Sequence, residues 1–253
     1  MPARDAPRDA LGWRAKFAAI GPSTNTVVQP DFEAMRPPGV TCHYRPIVTP
    51  NAKAISNESF KAGIDVIAGN VMDAVRVGMT MEPDGFVMGM SSVTFYGGVA
   101  GAERFVAQVR DETGLQVSCG SIATAEALRR HGAKRIAFLS PYWPVMNDIV
   151  RTYFQEAGFE VKRDIALHAT SWTGIAAFTT ADCRDALRRL DGDDVDALVQ
   201  VGTNLSMERL AAAAELWLGK PVIAINTATW WHVLRSHGIE DKVFGFGRLL
   251  EEF

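Results

Sequence analysis

The sequence predicts an α/β fold of two pseudo-symmetric lobes with parallel sheets and a site in the cleft between them. The first observation is an internal repeat. Segment 15–23, AKFAAIGPS, resembles segment 133–141, AKRIAFLSP, and segment 84–92, DGFVMGMSS, resembles segment 196–204, DALVQVGTN. The second is that apolar runs alternate with helix-like segments, which is typical of βαβ units. The third is that the repeated runs end in polar turns, so two facing copies bring four such turns to one cleft.

Each predicted element has a local signal. Eight apolar runs predict strands at 17–21, 40–48, 85–89, 116–117, 135–139, 160–167, 197–201 and 222–225. Eight segments predict helices at 27–35, 60–77, 102–112, 123–131, 145–157, 180–190, 208–218 and 228–237. Thr180 and Ser206 are the predicted N-caps of two helices, and Gly158 and Gly238 the predicted C-cap glycines of two others.

The repeat also predicts how the chain divides. We expect a first lobe at 12–115 plus 226–253, a second lobe at 116–225, and a flexible leader at 1–11. The chain would cross back near residue 225, so that its last long helix packs on the first lobe.

Composition narrows the class of protein. The chain has 253 residues and a formal net charge of −3, so a nucleic-acid partner is not expected. The sequence has no apolar run of the roughly 18 residues that a membrane span needs, so no membrane partner is expected. The three cysteines, Cys42, Cys119 and Cys183, have no metal-ligand spacing. Few and scattered cysteines favour a reducing, cytoplasmic location. A homo-oligomer is left open.

Four short motifs resemble those of a known family. They are GPSTN at 21–25, SSVTFYGG at 91–98, SPY at 140–142 and GFGRL at 245–249. In this order they resemble the aspartate/glutamate racemase superfamily, in the branch of arylmalonate decarboxylase and maleate cis-trans isomerase. The resemblance implies two Rossmann-like lobes and a site without a cofactor or metal.

The resemblance also implies where catalytic cysteines would stand, and this chain lacks both. The two family positions fall at Met90 and Gly202, which the internal repeat pairs independently. Without a thiol at either position, two-base racemisation has no proton carrier, and addition of a thiolate to a double bond has no nucleophile. The resemblance therefore predicts the fold, and the reaction needs another chemistry.

Polar side chains at the strand ends predict an anion pocket. Ser91, Tyr142 and Thr203 are the candidate catalytic groups, because hydroxyls near helix starts stabilise a carboxylate or a developing enediolate. The candidate substrate-binding residues are Asn25, Met90, Ser92, Trp172, Gly202 and Asn204. The alternative interpretation is that these Ser, Thr and Asn residues only form turns and cap helices.

Three functions follow from this pocket. The first is a cofactor-independent lyase or isomerase, decarboxylase-like, acting on a small carboxylic acid through an enediolate in an oxyanion pocket. The second is a hydrolase or hydratase on the same scaffold, with water in the room that Gly202 leaves where a thiol would be. The third is a non-catalytic carboxylate-binding relative.

Overall fold

Two four-stranded parallel sheets form the framework of the protein. The computed structural model describes residues 9–53 and 55–253. The first sheet has the order β2-β1-β3-β4 and the second the order β6-β5-β7-β8. The strands are β1 (Ala15–Pro22), β2 (Val40–Ile47), β3 (Gly85–Met88), β4 (Val117–Ser118), β5 (Arg135–Ser140), β6 (Glu160–Ala166), β7 (Ala197–Gln200) and β8 (Val222–Ala224). Each sheet thus repeats one topology, so the predicted fold class and its pseudo-symmetry are confirmed.

Helices cover both sheets. They are α1 (Val28–Ala34), α2 (Asn57–Gly69), α3 (Val71–Met79), α4 (Ser92–Phe95), α5 (Gly98–Thr113), α6 (Gly120–Arg130), α7 (Pro144–Glu156), α8 (Thr180–Leu190), α9 (Glu208–Leu218), α10 (Ile225–Ser236) and α11 (Arg248–Glu252), with a short 3-10 helix at Thr173–Ala177. The central strands β1 and β5 are almost completely buried between these layers. Such continuous apolar burial is what a parallel sheet covered on both faces requires.

All eight strands form where the sequence predicts them, within two residues at each end. The predicted helix 60–77 is two helices, because α2 ends and α3 begins at Asn70. Two predicted caps are wrong. The N-cap of α8 is Thr179, whose hydroxyl accepts from the backbone of Asp182, and not Thr180. The α9 N-cap is Met207, and the exposed Ser206 caps nothing.

Strand pairing refines the proposed division into lobes. β4 pairs with β3 and so belongs to the first sheet, although the sequence places residue 116 onward in the second lobe. α10 follows the last strand of the second sheet and packs against α6, β3 and β4. We therefore place the proposed boundary after β4. Most of the predicted leader, 1–8, lies outside the described residues.

Two glycines end helices as the sequence predicts. Gly158 follows α7 and Gly238 follows α10, with φ values of +93° and +69°. At these positive φ values only glycine has little backbone strain, so each of the two residues ends its helix and lets the chain turn towards the next element. Within the described part of the chain, no helix is both long and apolar enough to cross a membrane.

Candidate functional site

The carboxyl ends of β1, β3, β5 and β7 meet around one pocket between the two sheets. The pocket and its open mouth together contain about 400 Å³ that protein atoms do not fill. Its walls include all nine predicted site residues: Asn25, Met90, Ser91, Ser92, Tyr142, Trp172, Gly202, Thr203 and Asn204. The four turns converge because the carboxyl ends of parallel strands lie at one edge of each sheet, and the two edges face each other.

Two hydroxyls from opposite sheets meet in this pocket. Ser91 follows β3, Tyr142 follows β5, and their oxygens are 2.6 Å apart in a hydrogen bond. Both side chains are buried, with 1% and 4% of their surface exposed. Burial raises the pKa of the Tyr142 phenol well above its usual range, and its bond with Ser91 only partly offsets this effect. The phenol therefore stays protonated, and either hydroxyl can be the donor in this bond.

A buried chain of polar groups holds Tyr142 from behind. Its backbone N–H donates to the Ser140 hydroxyl at 3.0 Å, and that hydroxyl donates to the Asn147 amide oxygen at 2.5 Å. The Asn147 amide nitrogen donates in turn to Asp164 at 2.6 Å, and Asp164 forms an ion pair with Arg151. The turn that carries Tyr142 is thus fixed by side chains of α7 and β6.

Thr203 has a different arrangement from the one that the sequence predicts. Its hydroxyl donates to the backbone carbonyl of Gly89 at 2.8 Å and accepts from the Asn25 amide at 3.1 Å. The hydroxyl hydrogen is therefore used within the protein, and it is not free to donate to a bound oxyanion. In this structure Thr203 connects the turn after β7 with the turn after β3.

The two asparagines of the pocket also connect the lobes. The Asn25 side-chain oxygen accepts from the backbone N–H groups of Val27 and Val28, which begin α1. The Asn204 oxygen accepts from the N–H of Thr26 at 3.0 Å, and its amide donates to the Trp172 carbonyl at 3.0 Å. In both asparagines, the side-chain oxygen and nitrogen already have hydrogen-bond partners within the protein. These contacts therefore fit the turn-forming interpretation as well as the binding one.

Met90 and Gly202, where the predicted resemblance implies cysteines, differ in their surroundings. Met90 is 4% exposed and lines the pocket. Gly202 has φ +108°, and a Cβ added there would lie 2.6 Å from the Pro141 Cγ. Pro141 therefore fills the direction that a side chain at Gly202 would take, and the water beside Gly202 stays a prediction.

The remaining walls are mostly apolar and come from outside the strand ends. Ile67 of α2 and Ile175 of the 3-10 helix line the pocket beside Trp172, whose ring packs 4.9 Å from that of Phe60. A Cβ at Gly63 would overlap the indole of Trp172. The sequence analysis missed both isoleucines, as well as Pro22 and Thr24. Pro22 and Thr24 flank Asn25 in the first motif, whereas no local signal marks the isoleucines.

Three aromatic residues that follow the pocket turns in the sequence, Phe95, Trp143 and His168, do not line the pocket. Phe95 packs in the core against Tyr153, with ring centres 5.2 Å apart. Trp143 stacks on the exposed His168 at 5.0 Å, and its indole N–H donates to a backbone carbonyl. His168 therefore lies outside the pocket.

Thiols and metal ligands are likewise remote from the pocket. Cys42, Cys119 and Cys183 are all buried, and burial raises the pKa of each thiol, to about 11 for Cys183. None of the pocket-lining residues of the described chain is a cysteine, a histidine or a charged residue. Across 9–53 and 55–253, no three His, Cys, Asp or Glu side chains cluster closely enough to hold a metal.

The fold and pocket define a class: a two-lobed α/β protein with a neutral, hydroxyl-bearing site where the two sheet edges meet. The sequence profile of the arylmalonate decarboxylase family matches residues 46–250, and the chain therefore belongs to that family. The predicted resemblance is confirmed.

Similar proteins agree with this membership. Maleate isomerase of Pseudomonas putida is 34% identical over 51% of this chain and 52% of its own length, so the chain matches about half of that relative. Arylmalonate decarboxylase of Bordetella bronchiseptica is 27% identical over 75% of this chain and 80% of its own. These relatives are isomerases and a decarboxylase, so the chain belongs to an enzyme family of isomerases and lyases.

Solved structures share the whole fold. A cysteine-to-serine variant of Nocardia farcinica maleate cis-trans isomerase, with a covalently bound succinylcysteine intermediate, has a TM-score of 0.85 at 24% identity and covers 94% of this chain and 98% of its own. A liganded variant of arylmalonate decarboxylase, with one glycine changed to cysteine and one cysteine to serine, has a TM-score of 0.80 at 23% identity, covering 94% and 99%. At these identities the likeness concerns the fold.

Proposed function

We propose that this chain is a cofactor-independent decarboxylase that acts on a small substituted malonate through an enediolate, without a thiol. The observation that carries the proposal is the composition of the pocket. Hydroxyls stand on the strand-end turns, apolar side chains come from α2 and the 3-10 helix, and the described lining contains no charged residue. Such a pocket suits a reaction that begins with two carboxylates and keeps one of them.

The polar side would hold the retained carboxyl group. Ser91 and Tyr142 share one hydrogen bond but have two hydroxyl hydrogens, so one hydrogen remains to point into the pocket. The Ser92 hydroxyl lines the same wall. As charge grows on the carboxyl oxygens, these donors stabilise it in a site with little water, where electrostatic interactions are strong.

The apolar side would receive the leaving carboxylate. Ile67, Met90 and Ile175 offer that group no hydrogen-bond donor from their side chains. A charged carboxylate is poorly stabilised there, whereas carbon dioxide is neutral, so the environment favours cleavage. The bond between the α-carbon and the leaving carboxyl breaks, and its electron pair enters the retained carboxyl as an enediolate. Water then supplies a proton to the α-carbon.

The contacts of Thr203 modify its role in this proposal. Because its hydroxyl hydrogen is bound to Gly89, we propose that Thr203 holds the turns after β3 and β7 at the right separation. Asn25 and Asn204 would assist it through their own contacts between turns.

The other functions have less support from the pocket. Thiolate addition, as a maleate isomerase-like mechanism would require, has no cysteine among the described lining residues. Hydration or hydrolysis needs a base to activate a water beside Gly202, and the described lining contains no histidine and no charged residue. A non-catalytic carboxylate-binding protein would use the same donors, so only a turnover experiment separates it from the enzyme.

Turnover in D₂O tests the proposal. The protein is incubated with phenylmalonate, methylmalonate or maleate, and the products are followed by NMR. We expect a monocarboxylate with deuterium on its α-carbon from a malonate, a loss of about 10²-fold in turnover for Ser91→Ala, and wild-type rates for the exposed control Ser206→Ala. Binding without turnover would favour the non-catalytic function, and conversion of maleate alone would contradict decarboxylation.

A further inference from the structure

Behind the pocket, two buried carboxyl groups meet where the two lobes pack together. Asp31 lies on α1 of the first lobe and Glu208 begins α9 of the second, with 4% and 8% of their surfaces exposed. Their side chains are within hydrogen-bonding reach of each other. One oxygen of Glu208 has no hydrogen-bond partner in the described structure. Neither residue lines the pocket, and the proposed reaction does not use them directly.

Two buried carboxyls in contact cannot both be charged at low cost. Burial raises the pKa of Asp31 to about 9, with further contributions from the hydrogen bond and the charge of Glu208, while a hydrogen bond from Asn226 partly opposes the shift. At neutral pH Asp31 is therefore protonated. Glu208 is the charged group that acts on Asp31. The other ionisable residues on the elements packed against α1 are Cys42, His43, Tyr44 and Arg45 on β2 and His232, Arg235 and His237 on α10.

Asn226 connects this pair to the pocket. Its side-chain amide donates to Asp31 Oδ2 at 2.7 Å and to the backbone carbonyl of Thr203 at 2.9 Å. Asn226 is 2% exposed, so both bonds form away from water. The Thr203 hydroxyl donates in turn to the backbone carbonyl of Gly89 in the opposite lobe. A continuous set of hydrogen bonds thus runs from the carboxyl pair, through one amide, to the contact that holds two pocket turns together.

We propose that Asp31 and Glu208 share one proton and that, through Asn226, this pair positions Thr203 and so sets the geometry of the pocket. The positioning role rests on the proposed function, whereas the shared proton does not. Asn226 donates hydrogen bonds to both of its partners, so it cannot pass a proton from one to the other. The pair consequently acts on the pocket by position and does not deliver the proton that decarboxylation needs.

The shared proton predicts how stability depends on pH. An aspartic acid in an unfolded chain has a pKa of about 3.9, below that of Asp31 in the folded protein. The folded state therefore binds one more proton between about pH 4 and 9, so this contribution to stability is complete below pH 4 and is lost as pH rises towards 9. Within that window the folding equilibrium constant falls by up to about tenfold per pH unit on account of this group.

Denaturant unfolding from pH 5 to 10 measures this effect without any ligand. We expect Asp31→Asn and Glu208→Gln each to reduce the decline of stability with pH, because either change removes one of the two competing carboxylates. Glu33→Gln, an exposed carboxyl on the same helix, is the matched control and should keep the wild-type decline. An Asp31→Asn profile parallel to that of the wild type would overturn the shared proton. Selective stabilisation of the wild type by added K⁺, Mg²⁺ or Ca²⁺ would do the same, because a cation would then occupy the place of the proton.

Methyl NMR tests the positioning role separately. In protein with labelled threonine methyl groups, we expect the Thr203 signal, assigned with Thr203→Ser, to titrate with the pair near pH 9 and to lose that titration in Asp31→Asn. We also expect the Kd for phenylacetate to rise several-fold over the same pH range in the wild type only. A Thr203 methyl signal that does not change as the pair titrates would overturn the positioning role. If phenylacetate fails to bind at any pH, the proposed function fails while the NMR result still stands.

Discussion

The Ser91 hydroxyl lies 2.6 Å from the Tyr142 hydroxyl, and the two residues come from turns of different sheets. Both hydroxyls line the pocket, and the described lining contains no cysteine and no charged residue. Our account of the function depends on this pair more than on any other contact.

Removing either member of the pair should slow turnover by a similar factor. Ser91→Ala and Tyr142→Phe are each expected to cost about 10²-fold, because each deletes a donor that stabilises the enediolate. Since the two groups act as a unit, the double variant should be little slower than either single variant. Steady-state kinetics on phenylmalonate measures this. Tyr153→Phe, a buried phenol outside the pocket, is the control. Strictly multiplicative losses would mean that the two hydroxyls act independently.

A side chain at Gly202 should destabilise the protein and restore no thiol chemistry. Gly202→Cys and Gly202→Ala place a Cβ at a positive φ, at a cost of about 1–2 kcal/mol, and against Pro141, at a further cost of about 1–3 kcal/mol. Gly219→Ala is a matched control, because its φ is +67° and no atom lies within 4 Å of the added Cβ. Denaturant unfolding compares the three variants. Equal losses at Gly202 and Gly219 would show that Pro141 moves aside freely.

Gly63 on α2 should control which substituents the pocket accepts. Gly63→Ala makes a Cβ overlap the indole of Trp172, so the ring must move and the apolar wall changes shape. We expect the ratio of kcat/KM for phenylmalonate over methylmalonate to change by at least about tenfold. Gly69→Ala, on the same helix with open space around it, should leave that ratio unaltered. If the kcat/KM ratio stays constant in both variants, Trp172 does not determine which substituents the pocket accepts.

Alkylation of thiols should leave activity intact. Burial raises the pKa of Cys42, Cys119 and Cys183, so little reactive thiolate forms at neutral pH. Iodoacetamide at pH 7.5 is expected to label the native protein slowly, with no loss of turnover, and to label all three cysteines after unfolding. Mass spectrometry counts the labels. Inactivation that follows the modification of Cys119 alone would show that the active site lies elsewhere.

The sequence predicts the strands and the polar part of the pocket well, for a simple physical reason. Each strand is a buried apolar run that ends in a polar turn, and parallel strands bring such turns to one edge. The strand pattern alone is therefore enough to place residues such as Ser91 and Asn204 together. The break at Asn70 also has a signal, since a Gly-Asn pair interrupts the helical pattern there.

Other features of the site depend on long-range packing that no local pattern contains. Ile67 and Ile175 reach the pocket because α2 and the 3-10 helix fold over it from different lobes. The hydroxyl of Thr203 donates a hydrogen bond to the carbonyl of Gly89, 114 residues away in the sequence. The contact between Asp31 and Glu208 arises in the same way, because only the packing of α1 near the start of α9 brings two acids together.

A crystal structure with bound phenylacetate tests the central claim most directly. The account predicts that one carboxylate oxygen lies within about 3 Å of the Ser91 or Tyr142 hydroxyl, with the phenyl ring against Trp172 and Ile175. A carboxylate bound with no contact to either hydroxyl, or bound outside this pocket, would contradict it.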